Sequence, residues 1–447
     1  MKTVLSWLMI ILVNFAVLVG ILVVIEFGFR YFYNAVPAKA DEYSIWLAFQ
    51  PYVMTSNPET HYSKWWNEFS KSFIDADVSS NNYGFTTRSK FNLTKAYQKA
   101  ANERVVLFTG GSTAWGLGAS HNSKIIHEKT AEILNRAQKE FKYTVINLAM
   151  GGWIAQQEDI AIDMWGRLYD PDWIIAMDGA NDATVGCSMS QGTGNPVYFQ
   201  LIKSYIASYL GTQTNPEFFR GNWENELLLY SAAYRALTGK QYIPRLQTFD
   251  MAFTDTKLQV ITPTPLTELP NMVAFYILAE KSILDRYPKA KYLLSSQPSA
   301  QDFGFENGEF YRDGETYTID PEARKKFASE IEAWFNSYDP EKRLCSAQAP
   351  IVGVAQRYMT AMESIRLAEM VEDYRASKRR DVEYFNTGLL FPRDVKKRAD
   401  DFIDNYHLND KGHEVLARYY AYRILKRDFP DKDWSELKPS MKWFEGS

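Results

Sequence analysis

Cysteine and histidine are scarce in this chain: 447 residues hold two of the first and five of the second. Two cysteines fall short of a structural zinc set or a disulfide framework. Cys187 and Cys345 allow one bridge or two buried thiols. Any histidine chemistry must run through His61, His121, His127, His407 or His413. An excess of basic charge is lacking too, with 50 Lys+Arg against 54 Asp+Glu and a formal net charge of −4. Such a chain has no overall basic field to draw a phosphate backbone, so no nucleic acid is expected as partner. No internal repeat or low-complexity tract is visible, and no His/Cys/Asp cluster has ligand spacing, so neither a metal nor a cofactor is expected.

What the chain does have is apolar and aromatic bulk, 46% hydrophobic and 15% aromatic residues against 23% charged ones. That balance fits a globular body, and the length suits two to three domains or one domain with large insertions. At the amino terminus, residues 4–25 read VLSWLMIILVNFAVLVGILVVI without a charge. About 20 such residues in a helix span a hydrocarbon core of roughly 30 Å, so a membrane anchor is expected over 4–25. A cleaved signal peptide competes, since Ala38-Lys39-Ala40 imitates a cleavage site, but an apolar run of this length and the intervening Arg30 favour an uncleaved anchor. Lys2 on one side is balanced by Arg30 and Lys39 on the other, so charge leaves the orientation open.

Five short β-branched or aromatic runs next to turn signals read as strands: 104–109, 143–148, 173–177, 291–295 and 382–386. Helical stretches lie between them at 123–141, 156–168, 271–286 and 356–378. Alternation of this kind calls for a parallel sheet with helices on both faces. The spacing breaks at about 187–270, which reads as an inserted subdomain, and again at 303–318, where Asn-Gly and Asp-Gly turns suggest a hairpin. Residues 26–102 show no clear period and are expected to wrap the body as a linker from the anchor at 1–25, leaving 103–447 as the main domain.

The first strand runs into Gly110-Gly111-Ser112-Thr113-Ala114-Trp115-Gly116. Open α/β sheets expose their ligands at the carboxyl ends of strands, which makes Ser112 a candidate nucleophile. The Walker pattern fails at Leu117-Gly118, and the dinucleotide fingerprint fails at His121. Near the other end, Asp404-Asn405-Tyr406-His407 precedes a helix. A serine hydroxyl needs a base to remove its proton, and the base needs an acceptor to orient it; His407 and Asp404 offer both. Asn409 or Asp410 would cap the helix, and His413 reads as structural or exposed. Donors for an oxyanion are offered by Gly152, after the second strand, and by Asn181, after the third.

Taken together, Gly-Gly-Ser112, Asn147-x-Ala149-x-x-Gly152, Gly179-x-Asn181-Asp182 and Asp404-x-x-His407-Leu-Asn resemble, in order, the blocks of the SGNH hydrolase superfamily, also called GDSL-type esterases and lipases. The chain departs from the nominal motif at Gly111, where the family has Asp, and at Ala149, where a glycine is common. The resemblance implies a flavodoxin-like three-layer α/β/α fold with a five-stranded parallel sheet. It also implies Ser112 as nucleophile, His407 as base and Asp404 as its orienting acid, with an oxyanion hole from the Ser112 N–H, Gly152 and Asn181. Family members with one amino-terminal anchor resemble bacterial envelope proteins, which implies a catalytic domain outside the cytoplasm on the inner membrane and makes a Cys187 to Cys345 bridge chemically possible.

The expected function is therefore a membrane-anchored serine esterase acting through an acyl-Ser112 intermediate on O-acyl esters of envelope polysaccharide, or an O-acetyltransferase if a sugar hydroxyl replaces water. Trp46, Trp65, Trp66, Trp115 and Trp153 would stack on sugar rings, or else serve as core or membrane-interface residues. A lipid esterase or lysophospholipase, and a non-catalytic glycan-binding scaffold, remain the alternatives. Protein partners are not specified by the sequence.

Overall fold

The structure is a computed structural model, and it describes residues 2–33, 48–50, 54–56, 61–81, 83–86, 97–183, 234, 269–300, 321–339, 343, 354–378 and 381–442. The chain divides into two units, Met1–Ser44 with Lys203–Thr256, and Ile45–Ile202 with Lys257–Ser447. In the first unit, helix α1 runs Lys2–Tyr33 and exposes Met9, Leu12, Val13 and Phe15. Among the described residues no helix is long and apolar enough to cross a membrane, and several side chains of 4–25 lie outside that description. Cys187, Cys345, Trp46, most of the expected insertion at 187–270 and the expected hairpin at 303–318 also lie outside the described residues.

The second unit begins with two small antiparallel pairs, β1 (Ala48–Gln50) with β2 (Met54–Ser56), and β3 (His61–Asn67) with β4 (Ser72–Ser79). Five parallel strands follow, β5 (Glu103–Gly110), β6 (Lys142–Asn147), β7 (Trp173–Asp178), β8 (Lys291–Ser296) and β9 (Val382–Asn386). Their apolar runs have no polar face because helices cover both sides; every residue of β7 is buried. The sheet order is β6-β5-β7-β8-β9. Counted within the sheet this is 2-1-3-4-5, so the chain reverses direction at β5 and β7.

That reversal sorts the helices. Parallel crossovers are right-handed, so the crossover from β5 to β6 lies on the face opposite to the crossovers that run from β6 through β7 and β8 to β9. Accordingly α3 (Ile126–Ala137) packs on α9 (Asp410–Asp428), whereas α5 (Leu269–Arg286) packs on both α4 (Ala155–Trp165) and α7 (Val354–Lys378). Helix α6 (Pro321–Asn336) joins α7 in a smaller cluster around Ile331, Phe335 and Met359. The α/β architecture and the five parallel strands stand as the sequence leads one to expect.

Within residues 26–102 the described part includes a hairpin packed on the core. The β3–β4 hairpin turns Tyr62 and Trp65 into the core at 1% and 3% exposure. The Trp65 Nε1–H donates to the Ala119 carbonyl at 2.7 Å, and the Tyr62 ring meets Trp115 edge-on at 5.4 Å. A register irregularity between Tyr62 and Lys64 breaks the two-residue alternation, which is why the strand is hard to read from sequence. Of the alternatives offered for the tryptophans, three of these residues take the core one and cannot stack on a sugar. Trp65, Trp115 and Trp153 are buried core residues, and of the described ones in that set Trp66 alone is exposed, at 42%.

Candidate active site

The reversal between β5 and β7 opens a crevice at the carboxyl end of the sheet, where ligands of such folds sit. Strand β5 delivers Gly110 and Gly111 to this edge, and Ser112 starts a short helical turn, α2 (Ser112–Trp115), at once. Gly110 has φ +147°, and a Cβ there would collide with the Met177 carbonyl and the Ala114 side chain. The glycine thus lets β5 turn sharply while staying in contact with β7.

The second part is a tight turn between the short helix α8 (Val395–Ala399) and α9. The Ile403 N–H donates to the His407 carbonyl at 2.9 Å, and the Asn409 N–H donates to the Asp401 carbonyl at 3.0 Å. The Asn409 side chain then caps α9 by accepting from the N–H groups of Lys411 and Gly412. Asp410 does not cap; its carboxylate accepts from the N–H and the hydroxyl of Ser120 at 2.8 and 2.6 Å. Held this way, Asp404 accepts the N–H groups of Tyr406 and His407 on Oδ1, both at 2.8 Å, and leaves Oδ2 for the imidazole.

The two parts meet. Ser112 Oγ lies 2.7 Å from His407 Nε2, and His407 Nδ1 lies 2.7 Å from Asp404 Oδ2. Burial alone would push the Asp404 carboxyl up, but the His407 ring and the two backbone N–H donors outweigh it and hold the group below its ordinary value. An ionised Asp404 can only accept, which puts the proton on Nδ1 and leaves Nε2 to accept from the serine hydroxyl. This is the protonation a general base requires.

Asn181 stands at the start of the turn after β7, and its Nδ2–H donates to the Trp153 carbonyl at 2.8 Å. The same amide packs on Gly111 so closely that a Cβ there would collide with it. Any side chain in place of Gly111 would therefore have to displace the Asn181 amide. Gly152 adopts φ +74° on the loop after β6, next to Trp153. Asn147 organises that loop, accepting from the Ala149 N–H at 2.9 Å and donating to Thr86 Oγ1 at 2.9 Å. Asp182 serves α4: its Oδ1 accepts from the Ala155 N–H at 3.1 Å, and burial pushes its acid up to about 7.

The remaining histidines lie in other settings. His61 pairs with Asp77 at 2.8 Å on the surface, and His121 Nδ1 accepts from the Ser123 N–H. His127 is buried in α3, and burial holds the His413 imidazole down at about 4, hence neutral. Among the described residues no group of three or more His, Cys, Asp or Glu side chains is placed to hold a metal ion.

Several residues bear on the site without a sequence signal. The Thr113 hydroxyl donates to the Tyr406 carbonyl at 2.9 Å, and Gln297 Nε2 donates to the same oxygen at 3.2 Å. Beneath the crevice, Asp178, Glu158 and Glu280 are buried, and burial pushes all three acids up, Glu158 to about 8, with the neighbouring carboxyls adding to the shift. The Thr109 and Tyr292 hydroxyls donate to Glu158 at 2.7 Å and to Glu280 at 3.0 Å.

No family model matches the chain, and no curated protein matches it. Solved structures with similarity include a two-domain esterase active on acetylated mannans, at 12% identity and TM-score 0.34, covering 76% of this chain and 52% of that one. This chain therefore matches about half the length of that esterase. A family 3 carbohydrate esterase from Clostridium thermocellum shows 11% identity and TM-score 0.30 over 73% of this chain and 96% of its own. The lipase/acylhydrolase from Enterococcus faecalis shows 12% identity and TM-score 0.33 over 74% of this chain and 99% of its own. Likenesses this slight carry no activity across to this chain, and the chemical reading rests on its own residues.

Proposed function

We propose that this protein is an SGNH-type serine ester hydrolase. The carrying observation is the relay from Asp404 through His407 to Ser112, two contacts of 2.7 Å that join residues from opposite ends of the domain at one sheet edge. In the first step Ser112 Oγ attacks the ester carbonyl carbon while its proton passes to His407 Nε2. The carbonyl oxygen takes up negative charge, which the Ser112 N–H, Gly152 N–H and Asn181 amide would stabilise. The C–O bond to the alcohol then breaks, the leaving oxygen takes the proton from His407, and an acyl-Ser112 remains. Water, deprotonated by the same His407, releases the acid; a sugar hydroxyl in that place would make the protein an O-acetyltransferase.

The substrate we propose is an O-acetyl ester of an envelope polysaccharide, and the site a single-pass anchor at 4–25 with the catalytic unit outside the cytoplasm. What supports the anchor is the uncharged apolar run itself. The test is hydrolysis of p-nitrophenyl acetate and of a partly O-acetylated oligosaccharide by the full chain and by Ser112→Ala. Loss of both activities in the variant supports the reading, retention of either overturns the assignment of Ser112, and product analysis separates released acetate from transferred acetyl groups.

A further inference from the structure

Glu363, on α7, is 2% exposed, and among the described residues neither of its carboxyl oxygens has a hydrogen-bond partner. Of the buried acids nearby, Glu158 and Glu280 each hold a hydroxyl and Asp182 an N–H, while Asp178, on the wall of the same cavity, is likewise left without a donor. A buried polar group left without a partner is costly, and native folds keep few of them. Glu363 borders a cavity of about 10 Å³ whose wall also includes Gly179, Ala180, Ser296, Gln297 and Tyr406. That is room for one water or one hydroxyl.

The wall places this cavity beside the reacting groups. Gly179 and Ala180 lead directly into Asn181, and Tyr406 immediately precedes His407. Gln297 ties the wall to both, with its Nε2 on the Tyr406 carbonyl and its Oε1 lying 3.7 Å from where a Gly111 Cβ would stand. The loops that carry Ser112, Asn181 and His407 therefore all touch residues around one small socket.

We infer that Glu363 is a substrate-binding residue that receives one free hydroxyl of the sugar ester in this socket, next to the acetylated position. The inference rests on the esterase reading above. Burial pushes the Glu363 acid well above its ordinary value, which favours the neutral carboxyl over the carboxylate. A neutral carboxyl donates one hydrogen bond and accepts another, which matches a hydroxyl; an ammonium would call for a carboxylate. Sites built to hydrogen-bond a hydroxyl discriminate strongly against analogues that lack it.

The experiment is a two-by-two comparison with the full chain and Glu363→Leu, using a partly O-acetylated oligosaccharide and the same compound with its free hydroxyls O-methylated. The expected result is that the full chain prefers the hydroxyl-bearing ester at least tenfold in kcat/KM, through KM, and that the preference collapses in Glu363→Leu and partly returns in Glu363→Gln. Equal use of both esters by the full chain overturns the inference, as does a preference that survives in Glu363→Leu, since the socket then holds only water. The comparison of substrates on the full chain stands even if a variant fails to fold. Failure of the esterase reading itself has a separate signature, p-nitrophenyl acetate hydrolysis that survives Ser112→Ala.

Discussion

The hydroxyl of Thr113 donates to the carbonyl of Tyr406 at 2.9 Å, joining the residue after Ser112 to the residue before His407. One hydrogen bond outside the reacting chain thus sets the distance between the two loops that must cooperate. Small misplacements of reacting groups cost large factors in rate. Thr113→Val is therefore expected to lower kcat about tenfold or more with KM little changed, and Thr113→Ser to restore it. Steady-state kinetics on a small acetate ester checks this, and a change confined to KM would contradict it.

Asp404→Asn should act through the imidazole tautomer. An asparagine can donate to Nδ1, which leaves Nε2 protonated and unable to accept from Ser112. The expected loss in kcat is on the order of 10³–10⁴-fold with the fold intact, as judged by circular dichroism and turnover together. Retention of most of the activity would show that Asp404 is not the orienting group.

Gly111 is where a single methyl group has leverage on Asn181, one of the proposed oxyanion donors. Because a Cβ at this position collides with the Asn181 amide, Gly111→Ala should move that amide away from the developing charge. Loss of one such donor costs about 10²–10³ in kcat. Gly111→Ala and Asn181→Ala are each expected to fall in that direction, and to be far from additive in the double variant because they remove the same contact.

Much of this site is legible in the sequence, because its parts are local. A serine straight after two glycines, and an acid three residues before a histidine, keep their meaning without knowledge of the fold. The five sheet strands are legible for the same reason, as compact apolar runs. Tyr62 and Trp65 are not, since an irregular register hides their common inward face. Thr113, Gln297, Glu158 and Glu363 are not either, because their roles depend on parts far away in the chain: the Tyr406 carbonyl, buried acids on other elements, or the wall of a cavity.

The buried acids predict a pH dependence of stability. Glu158 and Asp182 have folded values near 8 and 7, above their unfolded ones, so the folded state keeps protons that the unfolded chain releases. Their contribution is fully present below the unfolded values, about pH 4, and is lost as pH rises through 7 to 8. Asp404 works in the opposite sense, its lowered value favouring the fold until pH drops through it. Thermal unfolding should therefore show Tm falling by roughly several degrees between about pH 5 and 8. Glu158→Gln should flatten that slope, and a Tm that rises over the interval would contradict the raised acids.

The most direct test is covalent. A fluorophosphonate probe added to the full chain should label a single serine, located at Ser112 by peptide mapping, and labelling should vanish in Ser112→Ala and fall sharply in His407→Ala. Labelling at another residue, or undiminished labelling of either variant, would contradict an activated serine at this sheet edge.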